Sequence, residues 1–258
     1  MSVKIVTVQF NYPKELRRTP YDKLYETFKK SIEQNAPQCE LVELKPKAPE
    51  VNASLQKISF TSNTLKLKLW CDYLEKATEP VVFADCDMLC LRDPAEVFRL
   101  KTNDTKVLFA EDIEANFFDI GYTERHNDYN RRLPINGGII FANPTEATKQ
   151  FFRRWYEVNC LMLANKNIHR SFHEKYGGIN QAAFGYMLEA EPKEHNAVLK
   201  AFPTRIYNAV DCDWHLINDK TMFVHYKSAL RRAVLHGSSG HTRMQRAIDL
   251  WHYYEKMI

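Results

Sequence analysis

The chain has 258 residues, 45% of them hydrophobic and 12% aromatic, which is ample for a core in one large domain or two small ones. Basic residues exceed acidic ones by only four, 36 against 32; this suits anionic small molecules and falls short of a nucleic-acid footprint, without excluding DNA. Six cysteines (Cys39, Cys71, Cys86, Cys90, Cys160 and Cys212) lie mostly in apolar contexts with no paired metal-ligand spacing, so reduced buried thiols are expected, not a disulfide framework or a zinc site.

The run Met1-Ser2-Val3-Lys4-Ile5-Val6-Thr7-Val8 reads as a strand that begins at once, over residues 3–10. It shows no cationic leader, cleavage site or long apolar span, which points to a cytosolic protein. A helix is predicted over Tyr21–Gln34, with Leu24, Tyr25, Phe28 and Ile32 at helical spacing, then a strand near Cys39–Leu44. The Pro-enriched Lys45-Pro46-Lys47-Ala48-Pro49 is a short loop; no repeat or linker divides the chain, so residues 1–258 read as a single domain. From Ser62 to Ala77, Leu65, Leu69, Trp70, Tyr73, Leu74 and Ala77 share one helical stripe.

Pro80-Val81-Val82-Phe83-Ala84 is a short apolar run of the kind a buried central strand shows, so Asp85 and Asp87 should emerge where it leaves the sheet. Two acids beside an apolar sheet repel each other and need a cation between them. Oxygen ligands at this spacing suit Mg²⁺ or Mn²⁺. The carboxyl edge of an open α/β sheet is also where such folds bind ligands, so the tripeptide points to a metal site that receives a phosphorylated substrate.

Further strands are predicted at Thr105–Ala110 and Ile139–Ala142. Asn143-Pro144-Thr145-Glu146 opens a long helix with Asn143 as cap, Pro144 at the first position and Glu146 three past the cap, carrying Phe151, Phe152, Trp155 and Met162 to the core. The pattern as a whole is alternating α/β. Residues 111–134, with Glu111, Asp112, Phe117, Phe118, Tyr122, Tyr129, Arg131 and Arg132, read either as an acceptor wall or as a surface loop with buried aromatics. The run Thr242–Ile258 reads as an amphipathic helix that packs back or meets a partner, with attachment to a membrane surface left open, as is a homo-oligomer of the chain.

None of the eight glycines precedes Gly121. Both the dinucleotide fingerprint and the P-loop need early glycines to bring backbone N–H groups to phosphate, so neither exists in the first half. A nucleotide diphosphate near Asp85 would be met by metal and cationic side chains instead.

These residues resemble a family. An Asp-x-Asp after an apolar strand, then Asn136-Gly137-Gly138-Ile139-Ile140-Phe141, a helix bearing Gln181 and a late His225 are similar to the nucleotide-sugar glycosyltransferases of the GT-A fold. Lys66-Leu67-Lys68-Leu69-Trp70, Phe202-Pro203-Thr204-Arg205-Ile206-Tyr207-Asn208 and His225-Tyr226-Lys227-Ser228-Ala229-Leu230-Arg231 bring the resemblance to the glycogenin and galactosyltransferase-like branch, glycosyltransferase family 8. The resemblance implies a Rossmann-like mixed sheet flanked by helices and a transferase that moves a sugar from a nucleotide-diphosphate donor, with a UDP-sugar favoured. It implies Mn²⁺ or Mg²⁺ held by Asp85, Asp87 and His225. Donor contacts would come from Phe10, Asn11, Tyr12, Lys66, Asp85, Asn136, Gly137, Gly138 and Arg231, with Asn180 and Gln181 at the reacting sugar.

Three positions depart from the family pattern. Asn180 stands where the family has an acid, Ser228 where it has glycine and Arg231 where it has lysine. Asparagine is no carboxylate base or nucleophile, so a retaining reaction assisted by the leaving phosphate is expected. Inversion would instead need Glu111, Asp112, Asp119, Asp211 or Asp213 as base. The acceptor stays open among a glycan, a lipid-linked sugar, a protein side chain and a modified DNA base. Three other readings remain: a non-catalytic sugar-nucleotide or carbohydrate-binding module of the same fold, a metal-dependent phosphatase, against which stands the lack of any Gly-Asp pair, and a sugar-nucleotide pyrophosphorylase, against which stands the missing glycine-rich loop after the first strand.

Overall fold

A strand that is apolar at every position must be covered on both faces, because successive side chains point to opposite sides of the sheet. In a computed structural model of the chain, Val81, Val82, Phe83 and Ala84 are all fully buried. The structure describes residues 2–10, 19–46, 55–99, 118–125, 134–195, 197–237 and 242–257. The predicted strand at 105–110 and most of segment 111–134 lie outside the described residues.

The chain opens with β1 (Lys4–Val8), α1 (Tyr21–Asn35), β2 (Glu40–Leu44), α2 (Leu55–Lys76) and β3 (Val81–Ala84). Then come β4 (Met88–Cys90), α3 (Ala95–Arg99), β5 (Ile120–Glu124), β6 (Ile135–Ala142), α4 (Glu146–Ala164), α5 (Lys166–Tyr176), α6 (Ile179–Ala190) and α7 (Pro192–His195). The last elements are β7 (Leu199–Pro203), α8 (Thr204–Tyr207), β8 (Phe223–His225), α9 (Ser228–His236) and α10 (Gln245–Glu255).

Six strands form a mixed sheet in the order β2-β1-β3-β6-β5-β7, with β2, β1 and β3 mutually parallel, β6 antiparallel to both neighbours, and β5 parallel to β7. This is the α/β architecture expected of a GT-A fold. Beside this central sheet, β4 and β8 pair as a separate two-stranded ribbon. The turn through Asp85-Cys86-Asp87 separates β3 from β4, and strands of three residues are too short to show as a pattern.

Val81 and Phe83 face one side, where Phe83 stacks on Trp70 of α2 at 5.1 Å and meets Phe152 of α4 at 5.3 Å. Val82 and Ala84 face the other side, with Ile5 of β1, Phe28 and Ile32 of α1 and Phe98 of α3. Fully burying such a side chain contributes roughly 1.5–3 kcal/mol over leaving it exposed. A third cluster, with Leu89, Val224, Tyr226 and Trp251, packs α9 and α10 beyond the ribbon, so the C-terminal helix folds back on its own chain.

The cap of α4 is Thr145, whose hydroxyl accepts from Thr148 N, and not Asn143. Both residue types cap helices well. The Asn143 amide is instead committed to the Phe118 carbonyl at 2.7 Å, tying the chain to the start of β5. All six cysteines are unpaired, four of them buried. No helix among the described residues is long and apolar enough to cross a membrane.

Candidate metal and donor site

The parallel strands β1, β3, β5 and β7 all end on one edge of the sheet, and β6 begins there. Gln9 and Phe10, Asp85, Arg125, the α8 segment and Asn136-Gly137-Gly138 are therefore collected on that edge. Asp85 still belongs to the sheet: its N–H donates to the Gly138 carbonyl at 2.8 Å. After Cys86 the chain enters β4, which places Met88 opposite His225, while Tyr226 N–H donates to the Asp87 carbonyl at 2.7 Å. Asp87 and His225 thus become neighbours across the ribbon.

Ligand atoms of Asp85, Asp87 and His225 all lie within 4.8 Å of one another. His225 Nε2 is 3.4 Å from Asp87 Oδ1 and 3.8 Å from Asp85 Oδ2. Two carboxylates and an imidazole nitrogen turned toward one point form a donor set that fits Mn²⁺ or Mg²⁺. Burial alone would raise the Asp87 carboxyl; neighbouring charge, from His225 when it is protonated and then from Arg231 and Lys66, holds it below the usual carboxylate range. Cys86 lies between the two acids in the chain, and burial followed by the neighbouring carboxylates pushes its thiol well up.

Each acid has a cation on its outer side. Lys66, nearly buried, reaches Asp85 Oδ1 at 2.5 Å and lies 4.7 Å over the Trp70 ring. Arg231 donates to Asp87 Oδ2 at 3.1 Å and to the Tyr21 hydroxyl at 3.0 Å. Lys66 presents a point charge and Arg231 a planar fork.

The Asn-Gly-Gly segment sits inside β6, at an irregularity where pairing with β5 jumps from Tyr122–Ile140 to Thr123–Asn136. Such bulges gather beside active sites because they re-aim side chains. Asn136 is 3% exposed, and its Oδ1 faces Gly138 N at 2.9 Å, Asn208 Nδ2 at 2.8 Å and His225 Nδ1 at 3.2 Å. Gly138 leaves room for the imidazole: a Cβ there would stand 2.5 Å from His225 Cε1 and Nδ1.

Phe10 follows β1 on the same edge, partly buried against the α2 side of the sheet; Asn11 and Tyr12 lie outside the described residues. Gln181 lies under the Gly137 segment: its Nε2 donates to the carbonyls of Ile135 and Tyr176 at 3.1 and 2.6 Å, and its Oε1 accepts from Gly137 N at 3.4 Å. Asn180 is engaged elsewhere. Its Oδ1 accepts from Asn159 Nδ2 at 2.7 Å and its Nδ2 donates to the Asn63 carbonyl at 3.0 Å, a buried tie among α2, α4 and α6.

Of the candidate bases, Asp119 precedes β5 on the opposite edge of the sheet and accepts from Thr145 Oγ1 at 2.6 Å. Asp213 accepts from Val210 N at 3.4 Å. Asp211 lies 2.8 Å from Arg125 Nη2 and 3.9 Å from Lys227 Nζ. Glu111 and Asp112 lie outside the described residues.

Sequence reasoning missed Tyr21, Arg125, Lys227 and the part played by Asn208. A signal existed for Lys227, two residues past His225, whereas Tyr21 reads only as the first residue of a helix.

A mixed sheet with an acidic turn and an imidazole on one edge, flanked by lysine and arginine, offers a candidate divalent-metal site beside two basic side chains. The chain belongs to the nucleotide-diphospho-sugar transferase family, whose profile matches residues 25–236. Among solved structures it is similar to the glycosyltransferase GlyE of Streptococcus pneumoniae TIGR4, with a TM-score of 0.58 at 11% identity over 99% of this chain and 60% of that one. It is also similar to a glycosyltransferase involved in glycosylation of the major capsid of PBCV-1 (TM-score 0.53, 12% identity, 97% and 99% covered) and to an active-site mutant of LgtC (0.52, 12%, 97% and 95%). The chain spans 60% of the length of GlyE, and at these identities the likeness is one of fold. A search of curated protein sequences finds no match.

Proposed function

We propose that this protein is a metal-dependent, retaining glycosyltransferase of the family 8 type, acting as one domain on a nucleotide-diphosphate sugar, with a UDP-sugar favoured. The observation that carries this reading is the convergence of Asp85, Asp87 and His225 on one point at the carboxyl edge of the sheet. A divalent cation held there would supply Lewis-acid stabilisation of the departing diphosphate. Asp85 and Asp87 provide the negative charge that holds the ion. Lys66 and Arg231, each already on one of those carboxylates, supply further positive charge to the leaving phosphates. Gln181 holds Gly137, and so the backbone that lines the donor side of the site.

Retention is supported by what the described carboxylates do: Asp119 accepts from the hydroxyl of the α4 cap, Thr145, on the far edge, Asp213 closes a turn, and Asp211 is paired with Arg125. The tied-down Asn180 side chain favours a second reading, a donor-binding module without transfer activity. Unpaired cysteines fit a reducing compartment, and on that ground we place the protein in the cytosol.

A panel of nucleotide-sugars assayed for hydrolysis and transfer with and without Mn²⁺ separates the two. The transferase reading expects Mn²⁺-dependent turnover that falls by about 10²–10³ or more in Asp87→Ala, in line with loss of a group that stabilises developing charge. Undiminished turnover in chelator would refute it, and binding without turnover would select the module.

A further inference from the structure

Asn136, Asn208 and Thr123 are nearly or fully buried beside His225, at 3%, 0% and 0% exposure. Their hydrogen bonds have only one consistent assignment. The backbone N–H of Gly138 can only donate, so the Asn136 atom facing it at 2.9 Å must be the oxygen. That oxygen also faces the Asn208 amide at 2.8 Å, which must therefore present its NH₂; turned over, two oxygens would meet. The same Asn208 nitrogen donates to Thr123 Oγ1 at 2.9 Å, and Thr123 passes its own proton to the Asn136 carbonyl at 3.0 Å. The other end of the Asn208 amide, Oδ1, is buried without a partner, a cost of about 1–3 kcal/mol that this orientation accepts.

The chain of assignments ends on the imidazole. Asn136 Oδ1 is an acceptor, so His225 Nδ1, 3.2 Å away, carries the proton. The lone pair of the neutral ring is then on Nε2, the nitrogen turned toward Asp85 and Asp87. We infer that Asn136 and Asn208 are positioning residues that hold His225 in its Nδ1–H form and aim Nε2 at the metal position. This rests on the metal-site reading above, extends it to Asn208, which is not among the expected donor contacts, and gives Asn136 a part beyond the donor contact expected of it. The generalisation behind it is that the group accepting from a ligating histidine's second nitrogen sets its tautomer and orientation.

The test uses the full chain with ¹⁵N-labelled histidine. Long-range ¹H–¹⁵N spectra of the metal-free protein in alkaline buffer should show His225 with a protonated Nδ1 and an unprotonated Nε2. Asn136→Leu, which keeps the volume and removes the acceptor, should lose that tautomer, and both Asn136→Leu and Asn208→Ala should weaken Mn²⁺ binding by about 10–100-fold. Asn136→Asp still accepts from all three donors, so it should keep the tautomer and bind Mn²⁺ far more tightly than Asn136→Leu. A purely structural asparagine predicts the reverse order, because the Asn136→Asp variant would bury a charge, and that outcome would overturn the inference. An Nε2–H tautomer in the wild type would overturn it as well. Wild-type protein that bound no Mn²⁺ would instead sink the metal reading, leaving the tautomer to be decided by the spectrum.

Discussion

Gly138→Ala adds one methyl group, and it adds it against the imidazole. The new Cβ would stand 2.5 Å from His225 Cε1 and Nδ1 and 2.8 Å from Asn136 Oδ1. Non-bonded carbon contacts settle near 3.5–4.0 Å, so the ring must recede by roughly 1 Å or more. Metal–ligand distances tolerate only about ±0.2 Å, several-fold less than that displacement. The same Cβ would also crowd Asn136 Oδ1, the atom that faces the imidazole Nδ1. Gly138→Ala is therefore expected to lower Mn²⁺ affinity at least as much as removing an outer-shell partner does, about 10–100-fold, and to destabilise the fold by about 1–3 kcal/mol through overpacking. Gly137→Ala is the matched control: its Cβ meets only Gln181 Cγ, at 3.4 Å, an ordinary contact, and its affinity should stay within about threefold of wild type, the scatter of substitutions that disturb nothing. Calorimetric titration with Mn²⁺, on variants shown to be folded by circular dichroism, reads both. Gly138→Ala binding Mn²⁺ like wild type would refute the placement of the imidazole.

Gly185→Ala tests packing away from the site. Helix propensity by itself favours alanine inside α6 by about 1 kcal/mol, but the added methyl would run into the Tyr176 ring, so a net loss of about 1–3 kcal/mol in denaturant unfolding is expected, with Mn²⁺ affinity unchanged; a gain in stability would show that the helix–ring contact is looser than described. Glu191→Gln tests electrostatics. Arg154 donates to both Glu191 oxygens, at 2.5 and 3.1 Å, and holds its carboxyl below the ordinary value against the opposing effect of burial, with His195 adding to the lowering. A depressed carboxyl stabilises the fold above the unfolded-state value and loses that contribution as pH falls through the folded one. The melting-temperature deficit of Glu191→Gln should thus be present at pH 7 and shrink steadily below about pH 4. A deficit that grows on acidification would contradict the pairing.

The elements legible in the sequence were those written in local pattern. Val81–Ala84 is an unbroken apolar run, and α1 and α2 each carry a stripe at helical spacing; the strand is buried on both faces, and the helices appear within a residue or two of expectation or, for α2, longer at the start. The acid pair was legible for the same reason, since its meaning depends on the strand just before it. The α4 cap was not. Asn143 and Thr145 are both good caps, and the choice fell to a carbonyl of Phe118, 25 positions earlier in the chain. The family resemblance puts Asn180 at the reacting sugar, yet its amide joins Asn159 and the backbone of Asn63, partners that no spacing rule could supply.

By itself, the sequence determined the alternation of β1, α1, β2, α2 and β3, the acidic turn at a strand end and the absence of glycine-rich phosphate loops from the first half, because these depend on neighbours a few residues apart. The meeting of Asn136, Asn208 and His225, separated by 72 and 89 positions, was decided only in three dimensions, as was the need for glycine at 138. The physical reason is that hydrogen-bond partners and steric room are set by which strand edges the fold brings together, and the β4–β8 ribbon that carries His225 to the acids pairs two short segments from distant parts of the chain.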